Sequence, residues 1–296
     1  MVQDQIKTII ESHVTQDGLF ETGIAGVRLF RATQAVPCAP VVYEPCVIAI
    51  VSGFKEAVID GTRYVYDNKQ YMCCSMSMPV QAGTPAASPQ NPLYGVYIAL
   101  NQSMMSDLVI KLSKRGGFHN PKTPSKGIGL AHWSDAFSDA LLQVLALCGK
   151  DAEIAILAEG RLRELYYAIL TGEAGSFARQ SFDMGNAIAR SIAHVATHFQ
   201  DPLSVDELAH HAGMSRAAFH RKFKQATTLS PIQYIKTMRL NSAAAKIAEG
   251  ESIATAAQDV GYLSPSQFSR EFRRLYGHTP KQWKNINKQQ LNAEVK

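Results

Sequence analysis

The chain has 296 residues, 46% hydrophobic and 19% charged, a length and balance that suit about two globular domains and exclude a disordered or fibrous chain. No apolar run reaches the roughly 20 residues a membrane helix needs, and the opening MVQDQIKTIIESHVTQDGLF lacks the order of a secretory signal, so a cytoplasmic protein is expected. The net charge of +5 is unevenly divided: residues 185–296 carry 15 Lys and Arg against 8 Asp and Glu, residues 1–184 carry 15 against 17, and only the last third has the excess that polyanion binding rewards through counterion release.

The first hundred residues read as short strands: GVRLFRA (26–32), CVIAIVSG (46–53), KEAVID (55–60), TRYVYD (62–67), QYMCCSM (70–76) and LYGVYIAL (93–100). They are rich in β-branched and aromatic residues, and Asp60-Gly61, Asp67-Asn68 and several prolines supply turns between them. Such strands at near-regular spacing predict a sandwich or small barrel. From Asn101 the period becomes helical, beginning with Leu108, Ile110 and Leu112. A helix over about Ser134 to Cys148 puts Phe137, Leu141, Leu142, Val144 and Leu145 on one broad face, and Glu153 to Leu170 repeats the pattern. Residues 172–185 are small and polar and predict an interdomain linker, bounded as 176–185 between the two domains.

The remaining segment is punctuated by caps. A helix is expected over about Asn186 to Phe199, and Asp201-Pro202 ends it. Ser204 with Glu207 predicts a capping box, and that helix stops at Gly213. Ser215 caps a third helix to about Thr227, and Ser230-Pro231 opens a fourth that reaches Gly250. Ser252 opens the fifth, Ser264-Pro265 the sixth, and Thr279-Pro280 a short last one.

Two stretches of this segment are alike. Leu208-Ala209-His210-His211-Ala212-Gly213-Met214-Ser215, with Phe219, Arg221, Phe223 and Pro231, recurs as Ala256-Ala257-Gln258-Asp259-Val260-Gly261-Tyr262-Leu263-Ser264, with Phe268, Arg270, Phe272 and Pro280. The offset is 48 residues to the glycine and 49 beyond it. Each copy reads as helix, glycine turn, capped helix, which is a helix-turn-helix unit. Phe219 with Phe223, and Phe268 with Phe272, are spaced i and i+4 and point together into a core. The opposite face then offers Arg216, Ala217, His220, Arg221 and Lys224 in the first unit, and Ser266, Gln267, Ser269, Arg270 and Arg273 in the second. Arg can bind guanine bidentately, Gln can bind adenine, and Ala can meet a thymine methyl; the alternative for any of these arginines is to bridge acidic neighbours or phosphates. The helix between the units, Pro231 to Glu249, is long enough to hold two recognition helices about one DNA turn apart.

The segment 185–285 resembles the DNA-binding domain of the AraC/XylS family of transcription regulators, through A-x3-G-M-S-x3-F-x-R-x-F-K in the first unit and D-V-G-Y-L-S-P-S-Q-F-S-R-E-F-R-R-L-Y-G-H-T-P in the second. The resemblance implies base-reading positions at Ala217, His220 and Arg221 and at Ser266, Gln267 and Arg270; Ala217 is smaller than the residues often found there. The run YEPCVIAIVSGFKEAVIDGTRYVYDNKQY resembles the cupin-like sensing barrel of one subgroup of that family, which implies helices after it that mediate dimerisation, here near 134–170.

Catalytic and metal chemistry find little support. There is no histidine between residues 20 and 118, so a metal-dependent cupin enzyme is not expected. Five cysteines (Cys38, Cys46, Cys73, Cys74, Cys148) are an odd set expected to stay reduced, and adjacent Cys73 and Cys74 face opposite sides of a strand, against a zinc-thiolate site. One exposed cysteine sensing oxidants or electrophiles is an alternative, beside plain burial as small apolar residues. His194 and His198 are spaced i, i+4 without a third ligand, and Met72, Met76 and Met78 read as core rather than cavity lining.

The expected molecule is an α+β chain. Residues 1–175 form a cupin-like β-barrel with flanking helices, 176–185 the linker, and 186–296 an all-α domain whose helix-turn-helix units, at about 201–227 and 252–276, are joined by a long helix. It is read as a sequence-specific DNA-binding regulator, not an enzyme, with no cofactor and no membrane. Promoter or operator DNA, RNA polymerase, a small-molecule effector and a second copy of the chain are the expected partners. The alternative is a constitutive DNA binder whose barrel serves only oligomerisation.

Overall fold

A short helix, α1 (Val2–His13), opens the chain and buries Ile6 and Ile10, spaced i and i+4, against the sheet that follows. The computed structural model describes residues 2–114, 126–183 and 185–285. Ten strands come next: β1 (Gly18–Glu21), β2 (Val27–Ala32), β3 (Val36–Tyr43), β4 (Cys46–Ser52), β5 (Lys55–Ile59), β6 (Thr62–Tyr66), β7 (Gln70–Cys74), β8 (Met78–Thr84), β9 (Leu93–Ala99) and, after helix α2 (Gln102–Lys114), β10 (Ile128–His132). They make two antiparallel sheets, ordered β1-β2-β9-β4-β7-β10 and β3-β8-β5-β6. No ladder joins the sheets among the described residues, so the expected cupin-like barrel is open, two sheets face to face.

Strand β4 shows why the sequence dictates this arrangement. Its run is apolar without alternation because both faces are covered. Val47, Ala49 and Val51 face a layer of helices, while Cys46, Ile48 and Ile50 face the space between the sheets. Cys73 and Cys74 divide in the same way, one to each core. The helical layer consists of α1, α2, α3 (Asp135–Leu145), α4 (Asp151–Thr171) and α5 (Gly175–Phe182).

Helix α5 corrects the reading of 176–185 as a linker. Ala178, Ser181 and Phe182 lie on one buried face of that helix, and the small residues that suggested flexibility are small because they pack closely. The strands β1, β3, β8 and β10, and helix α1, were also absent from the sequence reading. In β3 the signal is masked by Pro37 and Pro40, which are tolerated because β3 is an edge strand.

Six further helices follow: α6 (Ala187–His198), α7 (Val205–His211), α8 (Arg216–Thr227), α9 (Pro231–Ala248), α10 (Ile253–Asp259) and α11 (Pro265–Tyr276), with a helical segment from Pro280 described as far as Asn285. Asn186, Ser204, Ser215, Ser230, Ser252 and Ser264 each cap a helix, accepting a backbone N–H of its first turn. The reciprocal capping box predicted at Ser204 and Glu207 forms instead at Ser230 and Gln233, where the Gln233 side chain accepts from the Ser230 N–H.

The C-terminal helices do not stand apart from the sheets. The core between the sheets continues into Ile188, Val195, Phe219, Phe223, Tyr234 and Met238 of α6, α8 and α9. Helix α9 lies against β3 and β8. Its Tyr234 hydroxyl donates to the Ser77 carbonyl, and its Asn241 amide donates to the carbonyls of Val41 at 3.0 Å and Val80 at 3.4 Å. The Tyr276 hydroxyl of α11 donates to the Asn241 side-chain oxygen, and the Gly127 N–H donates to the Ala226 carbonyl of α8 at 2.9 Å. A separate core, from Leu240 to Phe272 with Phe199 and Trp283 against it, joins the second half of α9 to the second helix-turn-helix unit.

Candidate nucleic-acid interface

The two units share one backbone turn. In the first, the Met214 N–H donates to the Ala209 carbonyl at 3.0 Å, and in the second the Tyr262 N–H donates to the Ala257 carbonyl at 3.0 Å. Gly213 and Gly261 take the positive φ of the turn, 64° and 86°. Their surroundings differ. A Cβ on Gly213 would meet nothing within 4 Å, whereas one on Gly261 would lie 2.1 Å from the Gln200 carbonyl oxygen. Gly213→Ala is therefore expected to cost about 1 to 2 kcal/mol, the left-handed backbone penalty alone. Gly261→Ala must cost clearly more, because the fixed Gln200 backbone has to move as well. Urea denaturation of both variants checks the order; equal losses would mean that the close approach is relaxed for free.

Behind each turn the paired phenylalanines turn the recognition helix. The Phe219 and Phe223 rings lie 5.5 Å apart and those of Phe268 and Phe272 5.4 Å apart, all fully buried. The opposite faces are thereby committed to solvent. Arg216, Ala217, His220, Arg221 and Lys224 of α8, and Ser266, Gln267, Arg270 and Arg273 of α11, are all exposed; Ser269 is half-buried. The structure thus brings the residues singled out in the sequence onto one outward face of each recognition helix.

They are not equivalent electrostatically. Arg216 is bound to Asp206 of α7 by hydrogen bonds of 2.9 and 3.1 Å, which braces the first unit. The Gln267 amide donates to Glu271 at 3.2 Å. Burial pushes the Glu271 carboxyl up, but hydrogen bonds from Lys236, Tyr262 and Gln267 outweigh it and hold the group below the usual carboxylate range, so it is ionised at neutral pH. Arg221, Lys224, Arg270 and Arg273 make no ion pair with another described residue. They are the cations left for a polyanion.

Three features here escaped the sequence reading. Leu263, in the second turn, is fully exposed, and its neighbours Tyr262 and Ser264 gave no sign of this beyond the turn itself. Arg239 of α9 donates to the carbonyls of Phe199, Gly261 and Asp201, tying the end of α6 to the second turn. The turn between β5 and β6 lies beside α8, so that Asp60, Thr62 and Lys126 share a groove with His220, Arg221 and Lys224.

Other chemistry is sparse. Among the described residues no cluster of three or more His, Cys, Asp and Glu could hold a metal ion, and no helix is long and apolar enough to cross a membrane. His194 and His198 stack on each other at 4.3 Å at the surface of α6. Burial pushes the Cys46 and Cys74 thiols far up, Cys73 to about 12 and Cys148 to about 11, and burial together with Glu56 raises Cys38. A reactive thiol needs the opposite shift. Ellman's reagent at pH 7.5 is expected to label at most Cys38 in the native protein and all five cysteines only after unfolding; rapid native labelling of a second cysteine would restore a thiol sensor. Below the ordinary thiol pKa of about 8.5 both states are protonated, and above it the unfolded chain gains by releasing protons, so stability falls as pH rises.

Comparison with known proteins decides the family. The model of the AraC-type transcriptional regulator N-terminus matches residues 23–177, just over half of the chain, and a helix-turn-helix domain model matches residues 208–286. The chain belongs to the AraC-type transcriptional regulators. Within that family, the regulatory protein SoxS of Escherichia coli K12 is 35% identical over 95 residues, 32% of this chain and 89% of SoxS. The probable transcriptional regulator LumQ of Photobacterium leiognathi is 38% identical over 88 residues, 29% of this chain but only 36% of LumQ. In fold, the AraC-type chain resembles ToxT of Vibrio cholerae, whose O395 form, solved with (E)-4-(8-methylnaphthalen-1-yl)but-3-enoic acid bound, superposes with a TM-score of 0.58 at 12% identity over 88% of this chain and 98% of that one. The protein is a DNA-binding regulator with a helix-turn-helix domain and an N-terminal regulatory domain.

Proposed function

We propose that this AraC-type regulator reads one asymmetric DNA site with α8 and α11 in successive major-groove segments. The observation that carries the reading is the pair of capped recognition helices with unpaired Arg221 and Arg270 on their outward faces, held by the 18-residue helix α9. At 1.5 Å per residue α9 is about 27 Å long, and with the turns at its ends it suits the roughly 34 Å of one DNA turn. His220, Arg221, Ser266, Gln267 and Arg270 are the proposed base readers. Lys224 and Arg273 serve phosphates, Arg216 does so only in part because Asp206 holds it, and Ala217 is left a methyl contact.

The regulatory half acts through the docking of its sheets on α9. A small molecule that changes this docking would change the set of the recognition helices on DNA. That ToxT, with the same fold, has been solved with a small molecule bound supports an effector, as does the cavity described below. The protein acts in the cytoplasm at promoter DNA, in contact with RNA polymerase and without catalysing a reaction. It pairs as a homodimer through α4, whose Ile156, Leu157 and Tyr167 are exposed.

The test is selection of bound sequences from a random DNA pool by the full-length protein. An enriched asymmetric motif spanning about two helical turns is expected. Absence of any enriched motif would overturn sequence-specific reading and leave a basic surface binding DNA by charge alone.

A further inference from the structure

At one mouth of the space between the sheets lies a cavity of about 410 Å³, within the size range of small-molecule sites. Its walls are apolar and aromatic: Phe30, Ile48, Leu93 and Tyr97 from the six-stranded sheet, Val36 and Ala82 from the four-stranded one. Polar groups interrupt them, among them Tyr43, Thr84 and Lys55. Tyr43 and Thr84 are only 7% and 6% exposed; among the described residues the Thr84 hydroxyl has no hydrogen-bond partner, and the Tyr43 hydroxyl has that of Tyr66 beside it. Lys55 shares the inward face of β5 with the buried Ala57 and Ile59.

The Lys55 ammonium sits 5.8 Å from the centre of the Phe30 ring and makes no hydrogen bond or ion pair with another described residue. Neighbouring Glu56 faces the other way and is bound to Arg63. The other cation of the wall, Arg31, is already committed to Asp17 and to the Thr15 carbonyl. Among the described residues no Asp or Glu lines the cavity. Burial pulls the Lys55 pKa down.

Buried polar groups in native proteins are satisfied by protein, water or ligand. A buried hydroxyl without a partner and an ammonium without an ion pair, on neighbouring strands of one apolar cavity, ask for a ligand with an acceptor-rich anionic end and an apolar body. We propose that this cavity binds a small organic carboxylate, its carboxylate on Lys55 with a hydrogen bond from Thr84 across the β5/β8 ladder, and its apolar part among Phe30, Ile48 and Leu93. The site deepens the effector reading of the regulatory domain and rests on it only for the link to DNA.

The test uses the full-length protein with benzoate, hexanoate and 4-phenylbutyrate, each set against its neutral primary amide, by calorimetry and thermal shift. At least one acid is expected to bind about ten- to a hundredfold more tightly than its amide, the worth of charge-assisted hydrogen bonds, and to raise Tm. Lys55→Met should erase the preference for the acid while leaving operator binding intact, and Thr84→Val should weaken it. Equal binding of acids and amides, binding unchanged in Lys55→Met, or no binding of any acid would each overturn the proposal. An acid that binds at Lys55 yet leaves operator occupancy unchanged would uphold the site and remove only its regulatory role.

Discussion

Arg221→Ala and Arg270→Ala are each expected to weaken binding to the selected site by roughly 1 to 3 kcal/mol, or about 5- to 150-fold, with a much smaller loss on random DNA. Both guanidiniums are exposed, make no ion pair with another described residue and project from rigid recognition helices, so DNA meets them without first breaking a described protein contact. A bidentate contact to guanine loses its whole value when the base is wrong, so each variant should relax preference at one position only, and the two positions should lie about one helical turn apart. Arg216→Ala supplies the contrast. That side chain is already paired with Asp206, and its removal should cost less and without sequence preference. Binding curves on the selected site and on a scrambled duplex at fixed salt read all three. Equal losses on both duplexes for Arg221→Ala would reassign that residue to the phosphates.

Phe219→Ala and Phe268→Ala should each cost about 3 to 5 kcal/mol, the usual range for emptying a buried phenylalanine site. They differ in which part of the molecule pays. Phe219 belongs to the core that runs from between the sheets into α6, α8 and α9, so its loss weakens the regulatory half and the first reading unit together. Phe268 belongs to the small core of Leu240 to Phe272, and its loss should open the second unit while the sheets stay intact. Against a domain stability of about 5 to 15 kcal/mol, that is enough to populate the opened form. Hydrogen exchange followed by peptide should show faster exchange spreading into β8 and α9 for Phe219→Ala, and confined to 250–285 for Phe268→Ala. The same pattern in both would mean that the two cores unfold as one.

The reading units were legible because their signals are local. A serine cap, a glycine in a positive-φ turn and phenylalanines four apart each act within one or two turns of helix, and they place the exposed face of α8 and α11 without help from the rest of the fold. The regulatory half was legible only where strands alternate or run apolar, as β4 does. Prolines hid β3, whose edge position makes them harmless, and the small residues of α5 looked like a linker because close packing and flexibility use the same amino acids. Least visible was what α9 touches. Tyr234 and Asn241 read as ordinary residues of a connecting helix, and their partners Ser77, Val41 and Val80 lie more than 150 positions away. The same distance hid the cavity: nothing near Lys55 in sequence tells that Tyr43, Thr84 and Phe30 will surround it.

Helix α9 fixes the separation of the two recognition helices, and it is also the floor on which β3 and β8 rest. Whatever alters the grip of the sheets on that helix therefore does work against DNA, and the exchange runs both ways: if a bound small molecule changes operator affinity by some factor, operator DNA must change the affinity for that molecule by the same factor. On the proposed function the two halves are thus a single thermodynamic device with two inputs. Substitutions at Tyr234 or Asn241, which touch neither DNA nor cavity, should uncouple the inputs while leaving the preferred base sequence as it was.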